Sequence, residues 1–338
     1  MNRLLIFMFS FLGFMNALYT QDVHFSKKEA YEMQRNSALA SLYEGDWQIS
    51  TVYRKQWASV SVPFTTTFLH YNKKFYTTNR SLIFNSGINY IQDKTGDAEL
   101  LVNKFFLDFG AHYRKLNHEF AGSLQFGYIR KQFSEGDLTL PSQFDREIGE
   151  FNSQLPSGES FQNTSLSYFS ANLGMAWRMT INDRWKVGSG LSFRNLNQPK
   201  EPFVTENELA IATGIQLFGI YQISSNNSLE FYAYDFRFNK ASETLNGVIW
   251  NHQLEGFDAI IDEFTLGIST RQSIGNNIDA FIPSLGVGIK GINISVAYDS
   301  NISDLELASG SRGGFELQLT YNGRFNALKQ IALPCEHY

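Results

Sequence analysis

From about residue 46 onward, apolar and polar side chains alternate in one segment after another. Between 104 and 114, Phe105, Leu107, Phe109, Ala111 and Tyr113 share one face, opposite Lys104, Asp108, Gly110, His112 and Arg114; Phe106 alone breaks the rule. Between 169 and 179, Phe169, Ala171, Leu173, Met175, Trp177 and Met179 oppose Ser170, Asn172, Gly174, Ala176 and Arg178. Between 185 and 194, Trp185, Val187, Leu191 and Phe193 oppose Lys186, Gly188, Gly190, Ser192 and Arg194, with Ser189 as the exception. Near the end, Phe315, Leu317, Leu319 and Tyr321 oppose Glu316, Gln318, Thr320 and Asn322. Successive side chains of an extended chain point to opposite faces, so this repeat of two is strand patterning. It predicts strands over 46–57, 64–74, 78–91, 98–114, 117–133, 162–179, 183–195, 206–223, 227–239, 243–252, 260–272, 278–290, 291–299 and 313–325. The tenth has the weakest pattern and is kept partly because bacterial barrels have an even number of strands.

Alternation alone allows a soluble sandwich or a membrane barrel. The outward faces decide between them. They carry aromatic residues near both strand ends, which lipid interfaces favour and a sandwich surface does not need. The polar faces are rich in Gly, Ser, Asn, Lys and Arg, as a barrel interior would be. After residue 20 no apolar run is long enough for a transmembrane helix. The fold class expected is therefore all-β: a transmembrane antiparallel β-barrel of about 14 strands spanning 46–326, with a short N-terminal segment before it and a tail at 327–338. With both ends in the periplasm, the connections 134–161, 196–205 and 300–312 face outward. Arg114–Asn117, Thr180–Asp183 and Ser224–Asn227 become periplasmic turns. The segment 21–45 is too polar to span a membrane, with Lys27, Lys28, Glu29, Glu32 and Arg35; it lies at the periplasmic end or plugs part of the lumen. The acidic connection 134–161 is long enough to be either a solvated surface loop or a partner-binding one.

Composition sharpens this picture. Arg3 followed by the apolar run Leu4–Phe14 has the form of a secretory signal over residues 1–20, cleaved after Thr20 or, alternatively, after Ala17. Aromatics reach 15% of the 338 residues, with 30 Phe and 16 Tyr, which suits two aromatic girdles. A formal net charge of -5 gives no electrostatic case for nucleic acid. Cys335 is the only cysteine, so it forms neither an intramolecular disulfide nor a Cys-based metal site.

Catalytic signatures are missing from the sequence: it has no GxSxG, HExxH or P-loop spacing. The six histidines, His24, His70, His112, His118, His252 and His337, are scattered; His112 and His118 form at most a weak pair across a turn. Asp299-Ser300-Asn301-Ile302-Ser303-Asp304 gathers oxygen side chains, but a calcium loop needs Gly sixth and Glu twelfth, where Asp304 and Gly310 stand. A turn-forming role is expected for these residues instead. No catalytic, cofactor-binding or metal-ligating residue is assigned, no cofactor is implied, and the chain is not expected to be an enzyme. Lys104, Asp108, Arg114, Arg178, Lys186 and Arg194 face the lumen, where they line an aqueous pore or form a closing salt-bridge network.

Short motifs in fixed order carry a family resemblance. The start reads Gln21-Asp22-Val23-His24-Phe25-Ser26, then Asn36-Ser37-Ala38-Leu39, Tyr53-Arg54-Lys55-Gln56-Trp57 and Pro63-Phe64-Thr65-Thr66. The end reads Asp279-Ala280-Phe281-Ile282-Pro283, Tyr298-Asp299-Ser300-Asn301-Ile302-Ser303, Arg312-Gly313-Gly314-Phe315-Glu316-Leu317 and Pro334-Cys335. Together they resemble the PorP/SprF family of outer-membrane proteins, which serves type IX secretion and gliding in Bacteroidetes. Two departures stand out: the family usually has Asn-Pro at Asn36-Ser37, and its tail often reads Cys-Pro-Arg and an aromatic where this chain has Cys335-Glu336-His337-Tyr338. The resemblance implies an accessory outer-membrane protein that binds a large secreted protein, such as an adhesin, through its C-terminal domain and supports its secretion or surface attachment. It implies as partners outer-membrane lipid, that secreted substrate and periplasmic type IX components. The competing expectation is a substrate-selective channel for small solutes.

Overall fold

The computed structural model of the protein describes residues 23–57, 62–78, 81–95, 100–133, 143–145, 149–152, 155, 164–201, 208–239, 241–254, 260–272, 278–302 and 312–325. The proposed leader at 1–20, the tail at 327–338 with Cys335 and His337, and most of 134–161 lie outside them.

The alternating segments form β1 (Trp47–Gln56), β2 (Phe64–Tyr76), β3 (Leu82–Thr95), β4 (Leu100–Lys115) and β5 (His118–Gln132). Two short strands, β6 (Phe144–Asp145) and β7 (Glu150–Phe151), pair only with each other. Then come β8 (Ser165–Thr180), β9 (Trp185–Arg194), β10 (Ala212–Ser224), β11 (Asn227–Phe238), β12 (Ala241–Gln253), β13 (Ile261–Gln272), β14 (Ile278–Ile289), β15 (Ile292–Asn301) and β16 (Arg312–Gly323). Strands β1–β5 and β8–β16 make a closed antiparallel barrel of 14 strands, sealed where Trp47 opposes Gly323 and Gln56 opposes Gly314. Among the described residues no helix is long and apolar enough to cross a membrane; the strands do the crossing.

Alternation becomes sidedness. On β4, Phe105, Leu107 and Phe109 are exposed on the outer wall, whereas Asp108 and His112 are buried inside. The lipid-facing wall at mid-height is mostly aliphatic, with Leu69, Leu124, Leu217, Leu266 and Leu285 exposed and Phe109 and Phe126 among them. Aromatics gather at the ends. At one rim Trp47 packs edge-on against Tyr321, with ring centroids 5.1 Å apart, and Trp185 against Tyr221 at 4.7 Å. Trp177 and Trp250 sit at the same rim, leaving Trp57 of the five tryptophans at the other, 4.9 Å from Phe64. These amphipathic rings suit the lipid-water boundary, one edge in hydrocarbon and the polar atom in water.

The two rims differ in their connections. Tight turns share the Trp-rich rim: Leu116-Asn117 joins β4 to β5, and Lys290-Gly291 joins β14 to β15. Lys290 and Gly291 have φ of 50° and 84°, the paired left-handed conformation of a two-residue hairpin that matches strand twist. The strand ends joined by the longer connections, 133–164, 195–211 and 302–311, all lie at the opposite rim. Short turns inside and long loops outside is the asymmetry of outer-membrane barrels, so the Trp-rich rim is the inner one.

The strand bounds depart from the pattern in two places. β3 starts at Leu82, not 78, because the backbone amide and hydroxyl of Thr77 both donate to Leu82 O and close a turn; it continues to Thr95. Its polar end looked like loop, but Asp93 accepts from Thr66 Oγ1 at 2.6 Å across the strand pair. β10 starts at Ala212, not 206, and Glu208 bridges Lys200 before it. The weakly patterned tenth strand is present as β12.

Candidate functional site

Residues 23–46 run inside the barrel. Helices α1 (Lys28–Arg35) and α2 (Ser37–Ala40) meet at a corner on Asn36, and Ala30, Tyr31 and Ala38 are fully buried. The Asn36 side chain does two jobs. Its Oδ1 accepts from the amides of Ala38 (3.1 Å) and Leu39 (3.3 Å), capping α2. Its Nδ2 donates to Met175 O (3.1 Å), Leu191 O (3.2 Å) and Gln216 Oε1 (2.9 Å), tying the corner to β8, β9 and β10. This approach needs Gly174 and Gly190 on the wall. A Cβ at Gly174 would lie 2.5 Å from Asn36 Oδ1, and one at Gly190 2.8 Å from Asn36 Nδ2.

Charges inside the barrel are matched group by group, as buried charges must be. Near the outer end Arg54 is fully buried, 2.6 Å from Asp299 and 3.2 Å from Glu316; Arg271 adds a second guanidinium 2.7 Å from Asp299. The internal segment completes this cluster. The amides of Ser26 and Lys27 donate to Glu316 at 2.8 and 2.9 Å, and the Ser26 hydroxyl bonds both Asp299 and Arg54. On β12, Glu243 accepts from Arg35 (3.1 Å), with His24 Nδ1 2.9 Å from its other oxygen, while the Arg35 guanidinium lies 4.0 Å over the Phe236 ring. Lys28 is 2.9 Å from both Glu32 and Glu230, and the Tyr234 hydroxyl donates to Glu32. Near the inner end Glu119 pairs with Arg114 and Arg178, and Arg178 donates to Leu42 O at 3.2 Å.

Between the clusters the fit is polar on one side and apolar on another. A chain of hydrogen bonds runs from His70 to Asn89 (2.5 Å), Asp108 (2.6 Å), Gln125 (2.7 Å) and Asn172 (2.7 Å), crossing β2, β3, β4, β5 and β8. Elsewhere Phe25 stacks on Phe68 at 5.4 Å and Tyr31 tilts against Tyr234 at 5.7 Å. Residues 23–46 therefore touch the wall on most of its circumference.

Of the lumen charges read from the sequence, Asp108, Arg114, Arg178 and Arg194 join this network, the last through Gln34 O, although the Arg114 side chain stays exposed at the inner end. Lys186 is exposed at the inner end of β9. Asp299 is no turn former: it is a buried strand residue in the outermost ion cluster. His112 and His118 do not pair, because they sit on opposite faces of the wall. His118 accepts from Trp177 Nε1 at 3.2 Å, and His112 Nε2 lies 2.6 Å from the Ser41 hydroxyl. That hydroxyl also donates to Ala38 O at 2.6 Å, so its proton is committed to the α2 backbone and not to the imidazole. Arg54, Glu243, Glu230 and Asn36 carry the interior, yet the pattern did not single them out. Alternation placed Glu316 on the lumen face, but partners up to 290 residues apart leave no local mark.

At the outer end, above the internal segment, lies a cavity of about 280 Å³. Val23 forms part of its floor, and Phe64, Phe106, Ile129, Tyr168 and Phe236 part of its wall. Phe106, the residue that broke the alternation of β4, is buried here against the Arg194 guanidinium, 5.4 Å away. Among the described residues no group of His, Cys, Asp and Glu is arranged to hold a metal ion.

The family profile described as "Type IX secretion system membrane protein PorP/SprF" matches residues 18–321. No curated protein sequence matches the chain. Among solved structures, the chain is similar to the CymD monoaromatic hydrocarbon channel, with 11% identity, TM-score 0.49 and coverage of 91% of this chain and 96% of that one. It is also similar to the Pseudomonas putida toluene transporter TodX (10% identity, TM-score 0.49, 86% and 93%) and to a Pseudomonas aeruginosa FadL homologue (11%, 0.47, 85% and 92%).

Proposed function

We propose, from the premise that the chain belongs to the PorP/SprF family of type IX secretion membrane proteins, that it acts by holding a secreted protein at the outer membrane and not by conducting solutes. The protein is an outer-membrane barrel. Its role in this proposal is accessory: the outer rim binds the C-terminal domain of a large exported protein, such as an adhesin, and supports its secretion or surface attachment. Periplasmic type IX components, including those that drive gliding, meet the inner rim. No covalent step is involved.

The observation that carries this reading is the filled lumen. Residues 23–46 engage the wall through four charge clusters and two apolar stacks, an arrangement suited to a rigid binding platform. The rival reading, a selective channel for small solutes, draws on the cavity at the outer end and requires the internal segment to move aside.

The test is a pull-down of the tagged protein from outer membrane in mild detergent, followed by mass spectrometry and planar-bilayer recording of the same sample. Recovery of one large secreted protein, with little conductance, is expected. Recovery of the barrel alone with robust conductance would sink the proposal in favour of the channel.

A further inference from the structure

We infer that the lipid-facing wall carries, at the inner rim, a binding site for the phosphodiester of an inner-leaflet phospholipid, built from Lys115 and His118. These residues flank the two-residue turn between β4 and β5 and stand directly opposite each other in the strand pair. Both fall on the outward side, in line with Tyr113 and Phe120, which are exposed there. Opposed side chains on one face start about 5 Å apart at Cβ, so both can reach one phosphate. The turn that holds them is tied to its neighbour. Asn117 Nδ2 donates to Thr180 O and Thr180 N to Asn117 O, each at 2.9 Å.

The donors decide the ligand. His118 stands between the rings of Phe120 and Trp177, with both centroids 6.1 Å away and interplanar angles of 17° and 26°. Its Nδ1 accepts from Trp177 Nε1 at 3.2 Å, so the imidazole proton sits on Nε2. Among the described residues Nε2 has no protein partner, and Lys115 makes no ion pair. An ammonium has three donors and no acceptor, and this imidazole has committed its acceptor to the indole. The pair can therefore only donate, and its ligand must accept. Glu119, next to His118 in the chain, faces the lumen, where it pairs with Arg114 and Arg178. The adjoining connection of β2 to β3 contributes Arg80 and no acid.

Depth makes that acceptor a phosphate. The pair lies one strand repeat beyond Tyr113, Phe120 and Trp177, toward the periplasm. Such rings mark the edge of the hydrocarbon, and a two-residue step along a tilted strand reaches about 5–7 Å past it, into the headgroup layer. Other candidates at this rim lack the pairing. Lys73 already lies over the Phe75 and Phe325 rings, at 5.3 and 5.4 Å. His252 stacks on Trp250, but Asn227 and Phe264 oppose it and no cation does. The site requires the barrel and its orientation; it is independent of the secretion proposal.

The test uses the full barrel in mild detergent, supplied with defined lipids and read by native mass spectrometry. The probes are phosphatidylglycerol, the matching diacylglycerol without a phosphate, and inorganic phosphate. Phosphatidylglycerol should stay bound at collision energies that strip the diacylglycerol. Lys115→Glu and His118→Phe should each cut that retention about tenfold, and Lys115→Arg should keep it. His118→Phe preserves the ring stack, so a role confined to packing would leave retention unchanged. Heat-modifiable gel mobility checks that each variant is folded, and Lys115→Glu carries the test if His118→Phe fails to fold. A phosphatidylglycerol with a photoreactive headgroup should label the peptide 113–120. Equal retention by the wild type and both variants, equal retention of the diacylglycerol, or labelling confined to other peptides overturns the inference. Displacement of the lipid by equimolar inorganic phosphate overturns it in favour of a soluble phosphate.

Discussion

Arg54 has no solvent exposure and two carboxylates for company, so its charge is tolerated only because they are there. Arg54→Ala leaves Asp299 and Glu316 facing each other with reduced compensation. The expected cost is about 3–5 kcal/mol, read as a lower urea midpoint for the barrel in detergent. Arg54→Met combined with Glu316→Gln should recover most of it, because Asp299 keeps Arg271 and no charge is left stranded. Ser37 accounts for one departure from the family pattern. It stands at the first position of α2, where proline is favoured because that amide has no helical partner. Here its hydroxyl instead bonds Ser123 Oγ at 2.7 Å, so the corner is fastened to β5 by a side chain. Asp46 acts at the inner rim. Partial burial works to raise its carboxyl, but the Tyr76 hydroxyl and the Phe325 amide, each 2.6 Å away, outweigh it and hold the group below its ordinary value. Its contribution is thus present at neutral pH and lost as pH falls through that lowered value. Asp46→Ala should lower stability by under about 1 kcal/mol, with the gap between variant and wild type closing in acid, as followed by thermal unfolding at several pH values.

The elements show why some of this structure was legible in the sequence and some was not. Each strand has a polar interior on one side and lipid on the other, so a repeat of two is written into residues such as Phe315, Glu316, Leu317 and Gln318, and the strands can be placed from it, the tenth only with the help of the even strand number. Helix α1 has no such contrast. Lys28 and Arg35 are buried in it, because the surface that receives it is itself charged. A helix packed into a polar lumen looks like a solvated segment, so the sequence of 21–45 fits a periplasmic segment and a plug equally well. The outer end of β3 is hidden in the sequence for a related reason: Asp93 and its neighbours are polar because they line the outer mouth, not because they form a loop. The packing of α2 on β8 predicts a selective disruption. Gly174→Val would drive a side chain into Asn36 and Ala38 while changing nothing on the lipid face. The barrel should keep its heat-modifiable mobility, and a cysteine placed at Ser37 in a Cys335→Ser background should change from protected to reactive toward a soluble maleimide.

At the scale of the whole molecule, fourteen strands enclose more space than their own side chains fill, since width grows with strand number. Residues 23–46 take up that space, and the matched charges make the filling specific to one seating. Deleting residues 23–45 should therefore convert a closed barrel into a conducting one, seen as stepwise currents in planar bilayers that the intact protein does not give. The deletion should also expose the carboxylates of Glu243 and Glu230, whose partners Arg35 and Lys28 go with it, giving the opened lumen a preference for cations in reversal-potential measurements.

Arg54 stands on the first strand, while its carboxylates stand on the last two. During insertion, the guanidinium must wait for the final hairpin before it finds Asp299 and Glu316, and Ser26 must wait with it. Closing the cylinder and seating Ser26 and Lys27 on Glu316 thereby become one event. A chain that stalls before β15 and β16 keeps an unsealed edge and a guanidinium without its carboxylates, even where Asn36 and Arg35 already hold the rest of the segment to β8, β9, β10 and β12. The ion cluster near the outer mouth is thus complete only when the last strand has met the first.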